Sequence, residues 1–370
     1  MTGTVRQDGY LRGDLLRGEE ITTELIRDLP KVDLHVHLDG SVRFSTLVEL
    51  YRAKGLDLPG GSEEGLRELL KGTGEKPTLA GYIPLFGIVH RVLQDEVSLR
   101  RVTRELVADC AAENVKHLEM RFSPVLHCEG ELSPESATDA VLAGLMEGRE
   151  ETGISAELVI TGLRHHSPEE THRLAELAVQ YKRRGVVGFD LAGIEMDNPA
   201  KEHREAFYLI LNNNINCTVH AGEEFGPPSI HQALHYLGAH RIGHGTRLLE
   251  DMNLLRYVAN HRIPLEVGLS SSVRTGAVEK VDQHPLRRFL RHGLRVTLCT
   301  NNRLLLDNDL TSELRLAVDT FDLTLLEMEN FLLAGFKSAF LPQKRRAELM
   351  RSALTQISEV RRQHGLEVTG

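Results

Sequence analysis

The sequence predicts an α/β protein built as a (β/α)8 barrel with additional N- and C-terminal helices. Short runs rich in apolar and β-branched residues recur along the 370-residue chain, and a stretch with helical spacing of apolar residues follows each of them. Eight such pairs are the pattern of this barrel. An open doubly wound sheet is the alternative, but the first strand is followed by a single glycine, Gly40, and not by a glycine-rich turn.

The predicted elements alternate regularly. The strands are expected at 32–37, 116–122, 156–163, 186–191, 215–220, 241–244, 263–269 and 294–300. The helices are expected at 22–28, 41–54, 99–114, 134–152, 167–184, 201–213, 229–237, 253–261 and 284–292, and a Gly-, Glu- and Lys-rich insertion at 55–77. Ser41, Ser133 and Ser167 are predicted N-caps, and a proline follows the last two at the first helical position.

The length and composition favour one soluble domain over residues 1–370, with a polar lead-in at 1–29 and a C-terminal helical cap at 312–370. A net charge of -9 argues against nucleic acid or an anionic membrane as partner and favours a small molecule. The four cysteines contain no C-x-x-C pair, so neither a disulfide framework nor a thiolate zinc site is expected. Without a membrane-spanning run or a signal peptide, the protein is expected in the cytoplasm.

A barrel of this kind places its active site at the carboxyl ends of the strands. The first strand ends with His35 and His37, which point to the same face because side chains alternate along a strand. Polar residues at the other strand ends are Asp190, His220, Glu223, His244, Ser270 and Asn301. Groups of catalytic type therefore gather where the fold would use them.

Three neutral imidazoles, from His35, His37 and His220, suit Zn²⁺, which lowers the pKa of a bound water and so supplies a nucleophile near neutral pH. Glu223 is placed to protonate a substrate nitrogen if its pKa is raised. His244, flanked by two glycines, could orient the nucleophile or take its proton. The end of strand four has no lysine to bridge two metals, so one ion per chain is expected.

The zinc deaminases that act on nucleobases through H-x-E and P-C-x-x-C are a poor match. His117-Leu118-Glu119 fits the first pattern, but nothing in the chain fits the second. Without two thiolates, that type of site cannot be built.

The chain resembles the adenosine deaminase family, which comprises mononuclear zinc (β/α)8 enzymes that hydrolyse the 6-amino group of a purine nucleoside. The resemblance runs over about residues 29–317, and its strength lies in the order of several short matches. These are the stretches 30–40, 117–124, 188–193, 220–223, 241–245, 265–272 and 284–313.

The resemblance implies a role for each matching residue. His35, His37 and His220 would be zinc ligands, Glu223 would protonate purine N1, and His244 would act on the attacking hydroxide. The implied substrate contacts are Asp39 to the ribose hydroxyls, the Gly193 N–H to purine N3, Asn302 to purine N7, and Tyr82 and Phe86 as an apolar lid. Asp39 favours a nucleoside over the free base, because related enzymes that act on the base tend to have glutamate there.

The chain departs from the family pattern at Asn301, where the family has an aspartate that binds zinc and the attacking hydroxide. An asparagine removes a negative charge and leaves one neutral carbonyl oxygen in place of two acceptor oxygens. Loss of such a group typically costs on the order of 10² to 10⁴ in rate. An engineered change, a protein that binds without turnover and a variant with altered chemistry are the three explanations.

The sequence therefore predicts zinc-dependent hydrolytic deamination of a purine nucleoside, adenosine or a close analogue, to an inosine-type product plus ammonia, with activity impaired by Asn301. A non-catalytic protein that binds purine nucleosides is the alternative from another class. A modified adenosine, such as an aminodeoxyfutalosine-like intermediate, is the alternative substrate.

Overall fold

The computed structural model describes residues 12–72 and 77–366, in which eight parallel strands follow one another in chain order around one sheet. Val36 forms a parallel bridge with Asn301, where the N–H of His37 donates to the Asn301 carbonyl at 2.8 Å and the Asn301 N–H donates to the His35 carbonyl at 2.9 Å. These contacts bring the last strand back to the first, so the predicted (β/α)8 barrel is confirmed. The strands are β1 (Lys31–His37), β2 (Val115–Phe122), β3 (Ser155–Leu163), β4 (Val186–Ala192), β5 (Asn216–Ala221), β6 (Arg241–His244), β7 (Leu265–Val267) and β8 (Val296–Leu298).

Helices surround the barrel and extend beyond it at both ends of the chain. They are α1 (Thr23–Asp28), α2 (Phe44–Ala53), α3 (Glu63–Lys71), α4 (Leu79–Tyr82), α5 (Phe86–His90), α6 (Glu96–Ala112), α7 (Pro134–Thr152), α8 (Pro168–Tyr181), α9 (Arg204–Asn212), α10 (Pro227–His235), α11 (Met252–Asn260), α12 (Leu269–Arg274), α13 (Leu286–Arg291), α14 (Arg303–Leu306), α15 (Leu310–Phe321), α16 (Leu325–Ser338) and α17 (Gln343–Gln363). None of the helices in the described parts of the chain is long and apolar enough to cross a membrane.

Two of the three predicted N-caps are confirmed. The Ser133 and Ser167 hydroxyls accept the N–H groups of Ser136 and Glu170. Ser41 is not an N-cap, because the helix begins at Phe44. The Ser41 hydroxyl instead accepts the N–H of Arg303 at 3.1 Å, which joins the loop after β1 to the loop after β8.

Several other boundaries differ from the prediction, and those nearest the site and the insertion are the following. Strands β7 and β8 have three residues each, because the chain enters helix α12 directly after Gly268 and turns at Asn301 with a φ of 63°. The insertion at 55–77 contains α3, whose Leu66 and Leu70 are buried, while 73–76 lie outside the described residues. Of the lead-in and the C-terminal cap, 1–11 and 367–370 also lie outside them.

The interior of the barrel holds a buried network of charged side chains. Arg121 pairs with Asp190 at 3.1 Å and with Glu266 at 3.0 Å, and Arg241 pairs with Glu119 and Glu266, each at 2.5 Å. All five side chains are at most 1 % exposed, so each charge depends on its partners in place of water. The network fixes two carboxylates, those of Asp190 and Glu266, directly beneath the carboxyl ends of the strands.

Candidate active site

Four imidazoles lie together at the carboxyl ends of β1, β5 and β6. The ring centroid of His35 is 4.5 Å from that of His220 and 4.9 Å from that of His244, and the His37 ring is 5.2 Å from the His220 ring. Strand alternation places His35 and His37 on one side of β1, as the sequence predicts. Histidine side chains from three different strands thus form one cluster.

Two carboxylates of the interior network orient these rings. Nδ1 of His35 lies 2.9 Å from Glu266, and Nδ1 of His220 lies 3.1 Å from Asp190. When Nδ1–H of a neutral imidazole donates to a carboxylate, Nε2 is unprotonated and its lone pair is free to bind a metal. Burial lowers the pKa of His35 well below its usual value and that of His37 to about 3, so both rings are neutral at pH 7.

The free nitrogens of this cluster fit a metal ion. Nε2 of His35 is buried and has no hydrogen-bond partner among the described residues. Nε2 of His37 and Nε2 of His220 are 3.1 Å apart, close to the separation of about 3.4 Å expected for two nitrogen ligands of tetrahedral zinc. Neutral imidazole nitrogens with second-layer carboxylates are a donor set suited to Zn²⁺.

His244 could also contribute a ligand. One ring nitrogen from each of His35, His220 and His244 lies within 4.8 Å of the others. Nε2 of His244 is 3.5 Å from the Glu223 carboxylate, and its buried Nδ1 has no partner among the described residues. The φ of His244 is 67°, an unfavourable conformation for a residue other than glycine that the surrounding structure must hold. The geometry thus groups His35, His220 and His244, while His37 meets the same cluster through its 3.1 Å contact with His220. The sequence-predicted trio of His35, His37 and His220 and this second trio share His35 and His220.

Glu223 is buried next to the imidazole cluster. The Thr275 hydroxyl donates to one carboxylate oxygen of Glu223 at 3.1 Å. Glu195 accepts the backbone N–H groups of Glu223 at 3.0 Å and Phe225 at 3.1 Å, so a second carboxylate lies close by. Burial, reinforced by the charge of Glu195, raises the pKa of Glu223 to about 8. Glu223 is therefore a protonated acid at neutral pH.

Asn301 follows β8 and lies beside the end of β1, to which its backbone is hydrogen-bonded. Its amide nitrogen donates to the Ser271 hydroxyl at 2.5 Å, and its carbonyl oxygen accepts a hydrogen bond from the Asn302 amide at 2.9 Å. The carbonyl oxygen keeps a second lone pair for a further contact. A Cβ at Gly40 would lie 1.9 Å from the Asn302 carbonyl oxygen, so only glycine allows the loop after β1 to approach this closely.

A cavity of about 240 Å³ opens above the imidazoles and is covered by residues of α4 and α5. Phe86 lies edge-on to His37, with ring centroids 6.4 Å apart, and Tyr82 packs against Phe86 at 5.6 Å. Nε2 of His90, at the end of α5, lies 2.6 Å from the Asp39 carboxylate and ties this cover to the end of β1. The hydrogen bond and charge of His90 lower the pKa of Asp39 to about 2 despite its burial.

Nearly all the residues singled out in the sequence meet in this cavity. Its lining includes His37, Asp39, Tyr82, Phe86, Gly193, His220, Glu223, His244, Asn301 and Asn302, while buried His35 lies beneath it. Four residues of the site have no role that the sequence predicts: Glu266, Glu195, Thr275 and Ser271. Glu266 carried a usable signal, because a carboxylate inside the apolar run 265–267 must be paired when buried.

Comparisons with known proteins agree with this arrangement. A family model described as adenosine deaminase matches residues 30–356. The chain is 38% identical over 338 residues to adenosine deaminase of Mycolicibacterium vanbaalenii, a match that covers 87% of this chain and 93% of that one. It is 35% identical to a probable adenosine deaminase of Dictyostelium discoideum, over 95% of this chain but only 46% of that protein.

A solved structure is similar over almost its whole length. The structure of Arabidopsis ADAL complexed with IMP matches with a TM-score of 0.80 and 29% identity, over 91% of this chain and 99% of that chain. The fold, the matched residues and these relatives agree with one another. The chain belongs to the adenosine deaminase family of metal-dependent hydrolases and is an adenosine deaminase-like hydrolase.

Proposed function

We propose that the protein is a zinc-dependent purine nucleoside deaminase that converts adenosine or a close analogue to an inosine-type product and ammonia. The observation that carries the proposal is the convergence of the imidazole nitrogens of His35, His37 and His220 on one cavity that also holds the buried carboxyl group of Glu223. Burial raises the pKa of Glu223, which favours its protonated form. Metal ligands and a proton donor are the two functions that hydrolytic removal of an amino group from a purine ring requires.

His35, His37 and His220 would hold one zinc ion, with the Asn301 carbonyl oxygen as a weak fourth protein ligand. Glu266 and Asp190 support this role for His35 and His220, which both trios share, because they orient the two rings with Nε2 toward the site. His37 is preferred to His244 because its Nε2 already lies 3.1 Å from that of His220. A bound zinc ion would supply an activated water for attack on the purine.

The chain's own residues would move the protons. Glu223 donates to purine N1, which makes C6 more electrophilic, and the Thr275 hydroxyl holds the carboxyl group in place. His244, whose imidazole is kept neutral by burial, would use a ring-nitrogen lone pair to orient the attacking water and take its proton. The cover formed by α4 and α5 excludes bulk water, which strengthens these interactions.

Asp39, Gly193 and Asn302 would position the substrate. The second carboxylate oxygen of Asp39 is buried without a partner among the described residues, and the anion is an acceptor for ribose hydroxyls. The Gly193 N–H would donate to purine N3 and the Asn302 amide to purine N7. A nucleoside is favoured over a nucleotide, because a phosphate close to the Asp39 carboxylate would be repelled.

A substrate panel tests this assignment. Ammonia release from zinc-loaded protein is followed with adenosine, AMP, adenine and an aminodeoxyfutalosine-type nucleoside. The proposal expects the highest kcat/KM for a nucleoside. A higher kcat/KM for AMP than for any nucleoside would contradict the nucleoside assignment but would leave the deaminase activity supported. AMP is a nucleotide, like the IMP bound in the Arabidopsis ADAL structure.

Activity is proposed to be impaired by Asn301, and a non-catalytic nucleoside-binding protein is the rival function. The observation that favours the rival is that both polar atoms of the Asn301 amide are already engaged by Ser271 and Asn302. The rival predicts saturable binding of adenosine with no ammonia release.

The raised pKa of Glu223 gives a pH prediction. Because the protonated acid is the active form, kcat/KM falls as pH rises through the pKa, which is about 8 without metal and lower when a cation is bound. Steady-state rates between pH 5 and 10 measure this alkaline limb. Glu223→Gln is expected to lose on the order of 10² to 10⁴ in kcat and to lose the limb, with zinc content unchanged. A limb that persists in Glu223→Gln would assign it to another group.

The cover over the cavity gives a prediction about KM. Phe86→Ala removes an aromatic ring that packs over His37, and the lost burial is expected to raise KM roughly tenfold. Tyr208→Ala, in an aromatic side chain of α9 that is 66% exposed, is the matched control and should leave KM unchanged. Equal KM values for the two variants would show that Phe86 does not cover the ligand.

We also propose that residues 1–370 form a single hydrolase domain and that the protein works in a reducing cytoplasm. The first proposal is supported by the contacts of α16 with β1 and β8, where a Cβ at Gly335 would lie 2.5 Å from the Val32 side chain. The second is supported by the four cysteines, all of which are unpaired.

A further inference from the structure

We propose that the protein binds a small, multiply charged phosphate anion at the amino-terminal end of the barrel, in a basic pocket formed by Arg262, Arg295, Lys337 and Arg346. This pocket is a cavity of about 460 Å³, larger than the cavity above the imidazoles. It lies before β6, β7 and β8 and beside the junction of α16 and α17. It is therefore at the opposite end of the strands from the proposed active site.

The charges of the basic pocket have no acidic partners among residues 12–72 and 77–366. No aspartate or glutamate is among the described lining residues, although acidic residues outnumber basic ones in the chain by 53 to 44. Arg262, Arg295 and Lys337 form no ion pair or side-chain hydrogen bond with any residue in the described part of the chain. Arg346 donates only to the carbonyl of Ala339, at 3.4 Å. The four cationic side chains, of which Arg262 and Lys337 are exposed and Arg295 and Arg346 half-buried, are therefore available to an anion from outside the chain.

Two of the cations, Arg262 and Arg346, are close enough to Arg295 to repel it. Arg295 is half-buried, and burial together with the charges of Arg262 and Arg346 lowers the pKa of its guanidinium. Such an arrangement costs folding free energy unless an anion binds. A structural role in the barrel floor would call for paired charges, as in the neighbouring interior network.

The floor of the pocket does not compete for the anion. Arg241 lines the cavity, but its guanidinium is committed to Glu119 and Glu266 and stacks 3.4 Å from the centre of the Phe340 ring. The anion would thus be bound by the four unpaired side chains at the rim. Arginine guanidinium groups match phosphate oxygens in a bidentate geometry, which favours a phosphate over a carboxylate ligand.

The size and charge of the protein select a small anion. A cavity of this volume accommodates pyrophosphate or the phosphate chain of a nucleoside triphosphate. A nucleic acid would meet the net charge of -9 on the protein, which repels a long polyanion.

Calorimetric titration of the full chain with pyrophosphate, tripolyphosphate and ATP at low salt tests the proposal. One saturable site per chain is expected, with affinity that weakens as salt is added. In the double variant Arg262→Gln/Arg295→Gln the dissociation constant should rise at least about tenfold, because two charged hydrogen bonds are lost. His37→Ala should bind as well as the wild type, which separates this site from the proposed zinc.

Arg67→Gln is the matched control, since Arg67 lies in another arginine-containing cavity, where it stacks over Phe44. Binding that is unchanged in the double variant, or lost in Arg67→Gln or His37→Ala, would overturn the proposal. Thermal unfolding gives a second readout without ligand. The double variant should be as stable as the wild type or more so, because repulsion is relieved, whereas a large fall in Tm would assign the cations a structural role.

Discussion

Replacing Asn301 with aspartate is expected to raise kcat/KM for deamination by on the order of 10² to 10⁴. The surroundings of Asn301 already suit a carboxylate. The Ser271 hydroxyl now accepts from the Asn301 side-chain amide at 2.5 Å, and it can rotate to donate to an aspartate oxygen at the same place. The Asn302 amide already donates to the side-chain oxygen of Asn301 and can donate to the second aspartate oxygen. The variant therefore gains a negative charge beside the metal site without leaving a buried polar group unpaired.

The gain must depend on the rest of the proposed site. Asn301→Asp/Glu223→Gln carries the same new charge but lacks the proton donor, so its kcat/KM should stay at or below the wild-type value. Zinc content is measured for each variant, because part of the gain comes from tighter metal binding. If Asn301→Asp binds one zinc ion per chain but turns over no faster than the wild type, Asn301 does not limit the chemistry.

His37→Ala is expected to lose the metal and with it all measurable deamination, whereas His244→Ala should keep the metal and lose activity alone. His37 supplies one of three imidazole nitrogens, and its Nε2 lies 3.1 Å from that of His220. Two remaining histidines and a neutral amide oxygen form a much weaker zinc site. Removal of His244 leaves that trio intact but removes the group that accepts a proton, at an expected cost on the order of 10² to 10⁴.

Metal content by mass spectrometry after dialysis, alongside kcat, separates the two variants. The proposed trio predicts about one zinc per chain in the wild type and in His244→Ala, and far less in His37→Ala. The reverse pattern would select the alternative trio of His35, His220 and His244, whose ligand atoms lie within 4.8 Å of one another.

Much of this architecture could be predicted because it depends on short-range patterns. The alternation of side chains in β1 is a local property, and it places His35 and His37 together before any tertiary contact is known. The rule that barrel sites lie at the carboxyl ends of strands then brings in His220, Glu223 and His244. The ends of β7 and β8 are predicted less accurately, because each of these strands has only three residues.

What could not be predicted depends on register and packing between distant segments. The partner of His35, Glu266, is 231 residues away, and only the arrangement of β1 and β7 across the barrel brings the two together. The raised pKa of Glu223 depends first on its burial by distant segments and then on the charge of Glu195, which belongs to a different loop. Ser41 illustrates the opposite error, since its local sequence suits an N-cap but tertiary structure uses its hydroxyl to bind Arg303.

The central claim is that this site removes the amino group of a purine nucleoside. A single-turnover experiment tests it most directly, with zinc-loaded protein in excess over adenosine and with both wild type and Asn301→Asp. Ammonia and the purine product are quantified together over time. The proposed function predicts one ammonia and one inosine-type product per adenosine, slowly for the wild type and faster for the variant. Adenosine that is bound by both proteins and recovered intact from both would contradict it.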